Sequence, residues 1–414
     1  MIKLLKNRNV VILWISRALS RFGDALESLA LMYLVYDLTG SGLAMGTVML
    51  FSMIPNIVIS PIAGVIVDRY SKKIIMFTAE MVRTVFILLI PILIYTGNIQ
   101  LWHIYAISVI VSIAESFFEP CSGVVFTLIV SKDELPLLNS LSTTTNHIMR
   151  MVGYTAAGII ISFSNKGILF TIDSLTFLIS AIAAIIMTIP KIESKKLEKI
   201  SDMGKDFVDG LKYIFGNGII PILFLAILIV NALGVPILQF LPITAEKVLK
   251  LDPTWAGYFL TISSIGNIVG GIIYPILVKK NMKLKTLYLY ALNFMGLCIL
   301  LVCYFPFKYI GIIMFFIVGV SCSLIGMWSF TEIQKICEKE YFGRVCSLTN
   351  IVLLASIPFA SAVSGWLIDR VSLLNVFKAT GILFIISAVV LYILTGKKIK
   401  VCTEAEAISD CSKG

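Results

Sequence analysis

The 414-residue chain carries little charge. Only 14% of its residues are Asp, Glu, Lys or Arg, whereas a soluble domain usually carries about 25%. Hydrophobic residues make up 58% of the chain. A water-soluble globule cannot bury that much apolar side chain, because its surface-to-volume ratio leaves too much of it exposed. Composition therefore excludes an ordinary cytosolic enzyme, a disordered chain and a secreted disulfide scaffold, and it predicts a polytopic membrane protein.

The sequence also has few groups suited to catalysis or metal binding. It contains two histidines and eight cysteines, without a CxxC pair or zinc-ligand spacing. It has no GxxxxGK[ST] loop for ATP and no paired Asp clusters for a metal-bound diphosphate. We therefore expect no catalytic residues, no metal and no cofactor. A membrane-embedded enzyme stays a remote alternative, and energy for any work must come from a gradient or from the solute.

The positive charge is unevenly distributed along the chain. The net charge is +10, but no basic stripe is interleaved with exposed aromatics, so nucleic acid is not an expected partner. With the N-terminus placed in the cytoplasm, 24 of the 34 Lys and Arg fall in cytoplasmic segments and 5 on the other side. This asymmetry follows the positive-inside rule and favours contact with anionic lipid. It predicts a multi-pass protein of the cell membrane with both termini in the cytoplasm.

Twelve apolar segments are each long enough for a helical span, which needs roughly 20 residues. They lie near 10–36, 43–67, 74–96, 101–130, 138–163, 167–190, 219–245, 254–278, 284–305, 308–332, 347–368 and 373–395. Backbone groups in hydrocarbon must pair within a segment, and the alternating ten-residue segments of a β-barrel are missing. The predicted class is therefore an all-α membrane protein.

The longest polar connection, residues 191–212, lies midway along the chain. It predicts a cytoplasmic linker between an N-terminal six-helix bundle (1–190) and a C-terminal one (213–396), followed by a cytoplasmic tail (397–414). The halves repeat weakly: a shift of about 207 to 211 residues superimposes Gly158 on Gly365 and Gly46 on Gly257. Two like-oriented bundles predict a substrate cavity near the bilayer midplane.

Several motifs carry a family resemblance. After span 2 stand Gly64, Asp68, Arg69, Lys72 and Lys73, a Gly followed four residues later by Asp-Arg and then by a basic pair. This loop resembles the signature loop of the major facilitator superfamily. Physically, the Gly would allow close helix approach and the basic residues would hold the cytoplasmic end in place.

Further motifs resemble the macrolide-efflux and siderophore-export branch of that superfamily. They are a Gly-Asp in span 1 ending at Asp24, an acidic-x-x-Arg pattern at Glu80 and Arg83, and the turn Gly343-Arg344-Val345 before span 11. Gly343 and Arg344 join the first loop as a predicted cytoplasmic gate. The resemblance implies the major facilitator fold and proton-coupled efflux of amphipathic small molecules, drug-like, macrolide or siderophore-like, by alternating access. The alternative is a facilitator or importer of a polar nutrient. We expect a monomer surrounded by lipid.

Span 1 carries four ionisable residues: Arg17, Arg21, Asp24 and Glu27. At about 100° per residue they lie within an arc of about 120°, and Asp24 is about 21 Å along a core of about 30 Å. Charges inside a span usually face a cavity or pair with one another. One interpretation is that Asp24 or Glu27 binds a proton or a cationic substrate group. The other is a static pair between Asp24 and an arginine.

Glu115 and Glu119 lie one turn apart on span 4, and Arg150 lies inside span 5. The two acids would accept a proton or a cation, or else meet Arg83 or Arg150. Arg150 would neutralise Glu115 or meet an anionic substrate group. The predicted transport pathway therefore comprises Arg17, Arg21, Asp24, Glu27, Glu115, Glu119 and Arg150.

Overall fold

The computed structural model describes residues 6–131, 133–163, 165–189, 211–216, 218–280 and 282–411. These residues form twelve long helices and, within the ranges given, no strand. The first six are α1 (Arg8–Thr39), α2 (Gly42–Arg69), α3 (Lys72–Tyr95), α4 (Leu101–Ile129), α5 (Leu135–Phe163) and α6 (Gly167–Ile186).

The other six are α7 (Ile220–Gln239), α8 (Thr254–Lys279), α9 (Leu284–Tyr304), α10 (Lys308–Ile336), α11 (Lys339–Val371) and α12 (Leu373–Cys411). A short helical turn, Leu241–Ile243, and a π-helical turn, Thr244–Val248, follow α7. Six of the twelve contain an interior proline, which neighbouring helices tolerate in membrane proteins. These prolines include Pro55, Pro91, Pro120, Pro236, Pro275 and Pro358. The predicted twelve-helix, all-α architecture is confirmed.

Among the described residues, nine helices are long and apolar enough to cross a membrane by length and composition. α1 is not one of them, because every 18-residue stretch of it carries at least three ionisable residues. α5 is not one either, since its first half is rich in Asn, Ser and Thr. Both helices belong to the first unit, where they pack against each other and α1 also packs against α6.

The chain divides into two compact units. The first unit contains α1 to α6, together with Gln239–Thr261 and Ser361–Asp369. Inside it, α1 packs against α5 and α6, α2 against α4, and α3 against α4 and α6. In the second unit, α9 packs against α10 and α12.

Glycines mark the closest helix crossings of the first unit. A Cβ at Gly158 would lie 2.8 Å from the Thr254 carbonyl oxygen and 3.0 Å from the Gly257 Cα atom. A Cβ at Gly46 or Gly365 would overlap backbone atoms of Ser361 or Gly42, respectively. The sequence repeat pairs Gly46 with Gly257 and Gly158 with Gly365. The equivalent glycines thus lie at equivalent crossings, α2 with α11 and α5 with α8, where small residues let backbones approach.

The turn between α1 and α2 is held by an acid from α11. Gly40 adopts a left-handed conformation (φ +62°) that ends α1. The Asp369 carboxylate then accepts hydrogen bonds from Ser41 Oγ at 2.6 Å, Gly42 N at 2.6 Å and Leu43 N at 3.0 Å. Partial burial would raise the pKa of Asp369, but the bonds from Ser41 and the two amides outweigh it and lower that pKa below its ordinary value.

Candidate functional site

A cavity of about 220 Å³ lies within the first unit, lined by α1, α2, α3, α4 and Gln239. Its wall combines charged groups with hydroxyls and apolar side chains. The charged and polar residues are Arg21, Asp24, Glu27, Arg83, Glu115, Ser28, Ser52, Ser108, Ser112 and Gln239. The apolar ones are Leu31, Met32, Val35, Met45, Val48, Met49 and Val111. An apolar wall with a few convergent polar groups is the usual form of a small-molecule site.

Two arginines of α1 meet the two acids of α4. Arg17 pairs with Glu119 at 3.0 Å and also donates to Ser122 Oγ. Arg21 pairs with Glu119 and lies 3.8 Å from Glu115. The spacing of four residues on each helix places these groups on facing sides of α1 and α4. Glu119 is thereby held by two guanidinium groups, whereas Glu115 has a longer and weaker contact.

Asp24 joins α1 to α3. One of its carboxylate oxygens accepts from Arg21 at 3.1 Å and the other accepts from Arg83 at 2.7 Å. Arg83 is almost fully buried, and its guanidinium group lies 3.8 Å from the centre of the Phe177 ring. Charge-assisted hydrogen bonds and an aromatic face both stabilise a buried guanidinium group. Asp24 therefore has features of both interpretations made from the sequence, because it lines the cavity and is also paired with arginines.

Two buried acids that were not among the predicted site residues also belong to the network. Glu80 of α3 lies 3.8 Å from Arg83 and accepts from Ser180 Oγ at 3.1 Å. Asp173 of α6 is fully buried and faces Glu27. The signal was available, since an ionisable residue inside an apolar span is by default a functional candidate. Asp173 was missed because it is a single acid in its span.

The network contains more acids than bases. Three guanidinium groups, those of Arg17, Arg21 and Arg83, form ion pairs with four of six neighbouring carboxyl groups, and the other two, Glu27 and Asp173, adjoin them. The carboxyl groups are Asp24, Glu27, Glu80, Glu115, Glu119 and Asp173. Charges removed from water without a partner are strongly unfavourable. The surplus carboxyl groups therefore favour protons or a cationic ligand in the cavity.

Arg150 has a different neighbour from the expected one. Its guanidinium group donates to Tyr154 Oη at 3.1 Å, one turn further along α5. Within the described residues it makes no ion pair, and Glu115 lies instead beside Arg21. Arg150 is also absent from the residues that line the cavity of the first unit. Tyr154 lies on the same helix as Arg150, so this hydrogen bond forms without movement of another helix.

The predicted gate loop is only partly described. Asp68, Gly343 and Arg344 lie outside the part whose side chains are described, as do residues 191–210 of the linker. Lys72 is buried and its Nζ donates to the Val67 and Tyr70 carbonyls at the end of α2. Cations at a helix C-terminus satisfy its free carbonyls.

Two further positions in the gate loop refine that interpretation. Lys73 Nζ donates to the Met187 carbonyl at 3.3 Å, just after α6, so a second lysine also ties the loop to a helix end. Gly64 was expected to allow close helix approach. A Cβ there would instead meet no described atom within 4 Å, so packing does not require glycine at this position.

Comparison with known proteins agrees with this architecture. The model of the Major Facilitator Superfamily matches residues 13–358. Macrolide efflux protein A of Streptococcus pyogenes is 24% identical over 386 residues, covering 91% of this chain and 94% of the relative. The Enterococcus faecalis protein of the same name is 23% identical and covers 76% of this chain and 99% of the relative. The crystal structure of the nucleoside transporter NupG superimposes with a TM-score of 0.76 at 12% identity, covering 94% of this chain and 99% of that one.

The chain belongs to the Major Facilitator Superfamily. It is therefore a multi-pass membrane transporter and not an enzyme. The predicted resemblance to this superfamily, including its macrolide-efflux relatives, is confirmed.

Proposed function

We propose that this protein is a secondary active exporter of amphipathic, cationic small molecules, driven by proton entry and working by alternating access. The observation that carries the proposal is the acid-rich cavity of the first unit, whose wall carries the carboxyl groups of Asp24, Glu27 and Glu115 and the guanidinium groups of Arg21 and Arg83. A cation or a proton entering the cavity relieves the same charge surplus, so the two compete. Competition for one set of carboxyl groups is a physical basis for exchange of substrate against protons.

The wall of the cavity suits an amphipathic cation. Asp24, Glu27 and Glu115 supply negative charge, while the methionines Met32 and Met45 supply adaptable apolar surface. Methionine side chains are flexible and polarisable, which favours binding of varied shapes. Two relatives named macrolide efflux proteins support drug-like export in particular, since a macrolide is large, apolar and basic.

In this proposal Asp24 and Glu27 meet the substrate cation, and Arg17, Arg21 and Glu119 hold the α1–α4 interface. Lys72 and Lys73 belong to a cytoplasmic gate that opens and closes with each cycle. The N-terminus and the tail lie in the cytoplasm, and the protein works as a monomer in the cell membrane. Import of a polar nutrient is the competing function, and the hydroxyl groups of Ser108 and Ser112 in the cavity are the feature that favours it.

Everted vesicles from an efflux-deficient bacterial host test the proposal. With an acidic interior, vesicles containing the protein should accumulate radiolabelled erythromycin, and an uncoupler should abolish that accumulation. Asp24→Asn should reduce it about tenfold or more, because the carboxylate that joins Arg21 to Arg83 loses its charge. Glu332→Gln is the matched control, since Glu332 pairs with Lys335 near the end of α10. Uridine transport in place of erythromycin transport would favour the nutrient importer.

A further inference from the structure

Asp173 occupies an unusual position in the network. It lies in α6 and is 0% exposed, and α6 packs against α1 and α3. Its Oδ1 atom accepts a long hydrogen bond of 3.4 Å from Thr176 Oγ1. Its Oδ2 atom meets no hydrogen-bond donor among the described residues. A buried carboxylate oxygen without a donor is costly, so another group must compensate it.

The group that faces Asp173 is another acid. The Glu27 carboxyl group of α1 lies within hydrogen-bonding range of it and also lines the cavity. Two carboxylates repel one another, whereas a protonated carboxyl group donates its O–H to a carboxylate. One proton between Glu27 and Asp173 therefore provides the donor that Oδ2 lacks.

Among the described residues that face the pair, no cation is free to take the place of that proton. The other charged groups that face the pair are Asp24 on α1, Arg83 on α3 and Glu115 on α4. Arg83 is the cation among them, and it already pairs with Asp24 at 2.7 Å and lies 3.8 Å from Glu80. The pair is thus separate from the ion pairs of the network, although it adjoins them.

The sequence of α1 leaves room for this arrangement. A Cβ at position 23 would overlap both Asp173 Oδ1 and Thr176 Oγ1. Gly23 therefore lets the Asp173 side chain lie directly against α1, one turn before Glu27. Any larger residue would separate the two carboxyl groups or displace α6.

We propose that Glu27 and Asp173 form the carboxyl pair that holds the transported proton. Glu27 exchanges the proton with the cavity and Asp173 stabilises it from behind. In the loaded state one O–H bond joins the proton to the pair, which carries a single negative charge. Release breaks that bond, passes the proton to solvent in the cavity and leaves two carboxylates that attract a cationic substrate. The proposal rests on the proposed function and assigns its coupling site.

Two transport measurements on Asp173→Asn test the assignment. In everted vesicles, erythromycin accumulation driven by an acidic interior should fall about tenfold or more. Exchange of labelled for unlabelled erythromycin without a pH gradient should persist, because it needs binding and alternating access but no proton. Asp173→Glu should retain part of the driven accumulation, and Glu332→Gln all of it. Normal driven accumulation in Asp173→Asn, or equal loss of exchange and accumulation, would overturn the proposal.

A measurement without substrate separates this proposal from the proposed function. Infrared difference spectra of the purified protein at neutral pH should show a protonated carboxyl band. The component that the pair contributes to that band should be lost in Asp173→Asn and in Glu27→Gln, and Glu332→Gln should leave the band unchanged. A band that neither Asp173→Asn nor Glu27→Gln changes would also overturn the pair. If the band behaves as expected but wild-type vesicles move no erythromycin, the proposed export is wrong and the pair stands as a proton site.

Discussion

The two units of the chain contain pockets of opposite character. The first unit has a charged pocket, whose lining includes Arg21, Asp24, Glu27, Arg83 and Glu115, besides an apolar one between α2, α3 and α4. The pocket of the second unit, about 340 Å³ in volume, is lined by α7, α10 and α11 and has no ionisable side chain other than a cysteine among its described lining residues. Its polar groups include the Asn231 amide and the Thr349 hydroxyl.

This difference shows how an internal repeat can preserve a scaffold while its chemistry diverges. The glycines at helix crossings are equivalent in the two halves, whereas the buried acids and arginines belong to the first. A charged pocket selects protons and cations, whereas an apolar pocket selects ligands by their apolar surface and shape. We therefore expect substitutions in the first unit to change coupling and stability, and substitutions in the second to change selectivity.

The largest effect should come from Arg83→Met. The substitution leaves the buried Glu80 without a cation and Asp24 with Arg21 as its remaining partner, and breaking a buried ion pair costs about 3–5 kcal/mol. Lys335→Gln in the second unit is the matched control, because its exposed pair with Glu332 contributes at most about 1 kcal/mol. Unfolding in detergent measures both variants. Similar losses in the two would remove the distinction between the units.

Alanine at two glycines, one in each unit, should have opposite effects. A Cβ at Gly23 overlaps Asp173 and Thr176, so Gly23→Ala should destabilise by about 1–3 kcal/mol. Gly326 lines the second pocket and has no described atom within 4 Å of an added Cβ. Gly326→Ala should be neutral or stabilise by up to about 1 kcal/mol, because alanine favours helix. The same unfolding assay applies, and a stable Gly23→Ala protein would contradict the close α1–α6 packing.

Asp369 provides a test of pH dependence outside the predicted spans. Its hydrogen bonds lower its pKa in the folded state, so its contribution to stability is present at neutral pH and is lost only as pH falls through that lowered value. Asp369→Asn should therefore leave the shape of the transport pH profile unchanged between about pH 5 and 8. Glu27→Gln should flatten the profile. A flattened pH profile in Asp369→Asn would instead mean that the proton-sensitive group lies outside the cavity.

The smallest effect should come from the second pocket. Asn231→Ala removes one amide from a largely apolar wall. It should change the KM for erythromycin about two- to tenfold, since a neutral hydrogen bond contributes about 0.5–1.5 kcal/mol. The dependence of uptake on the pH gradient should stay as in the wild type. Loss of that dependence would place coupling in both units.

Local sequence patterns predicted many of the site residues but not which residues pair with one another. The charged face of α1 follows from the spacing of Arg17, Arg21 and Asp24 along one helix, and the structure turns that face toward α3 and α4. The partner of Arg150 was not predictable, because Tyr154 is one of several neighbours within reach and only side-chain packing selects it. Asp173 escaped notice for a similar reason, since nothing near it along the chain indicates that Glu27 lies opposite.

By itself the sequence determined that this transporter lies in lipid, where its helices are and to which family it belongs. Apolar length and loop charge are properties of single segments, so they can be read without the fold. Tertiary structure decided which buried charges meet. Helix rotation and crossing distance bring Arg83 between Asp24 and Glu80, and the missing side chain at Gly23 brings Asp173 against α1. The pairing of Arg83 with Asp24 and the contact of Asp173 with α1 join residues far apart along the chain, and their energies depend on separations of a few ångströms, which only the packed fold defines.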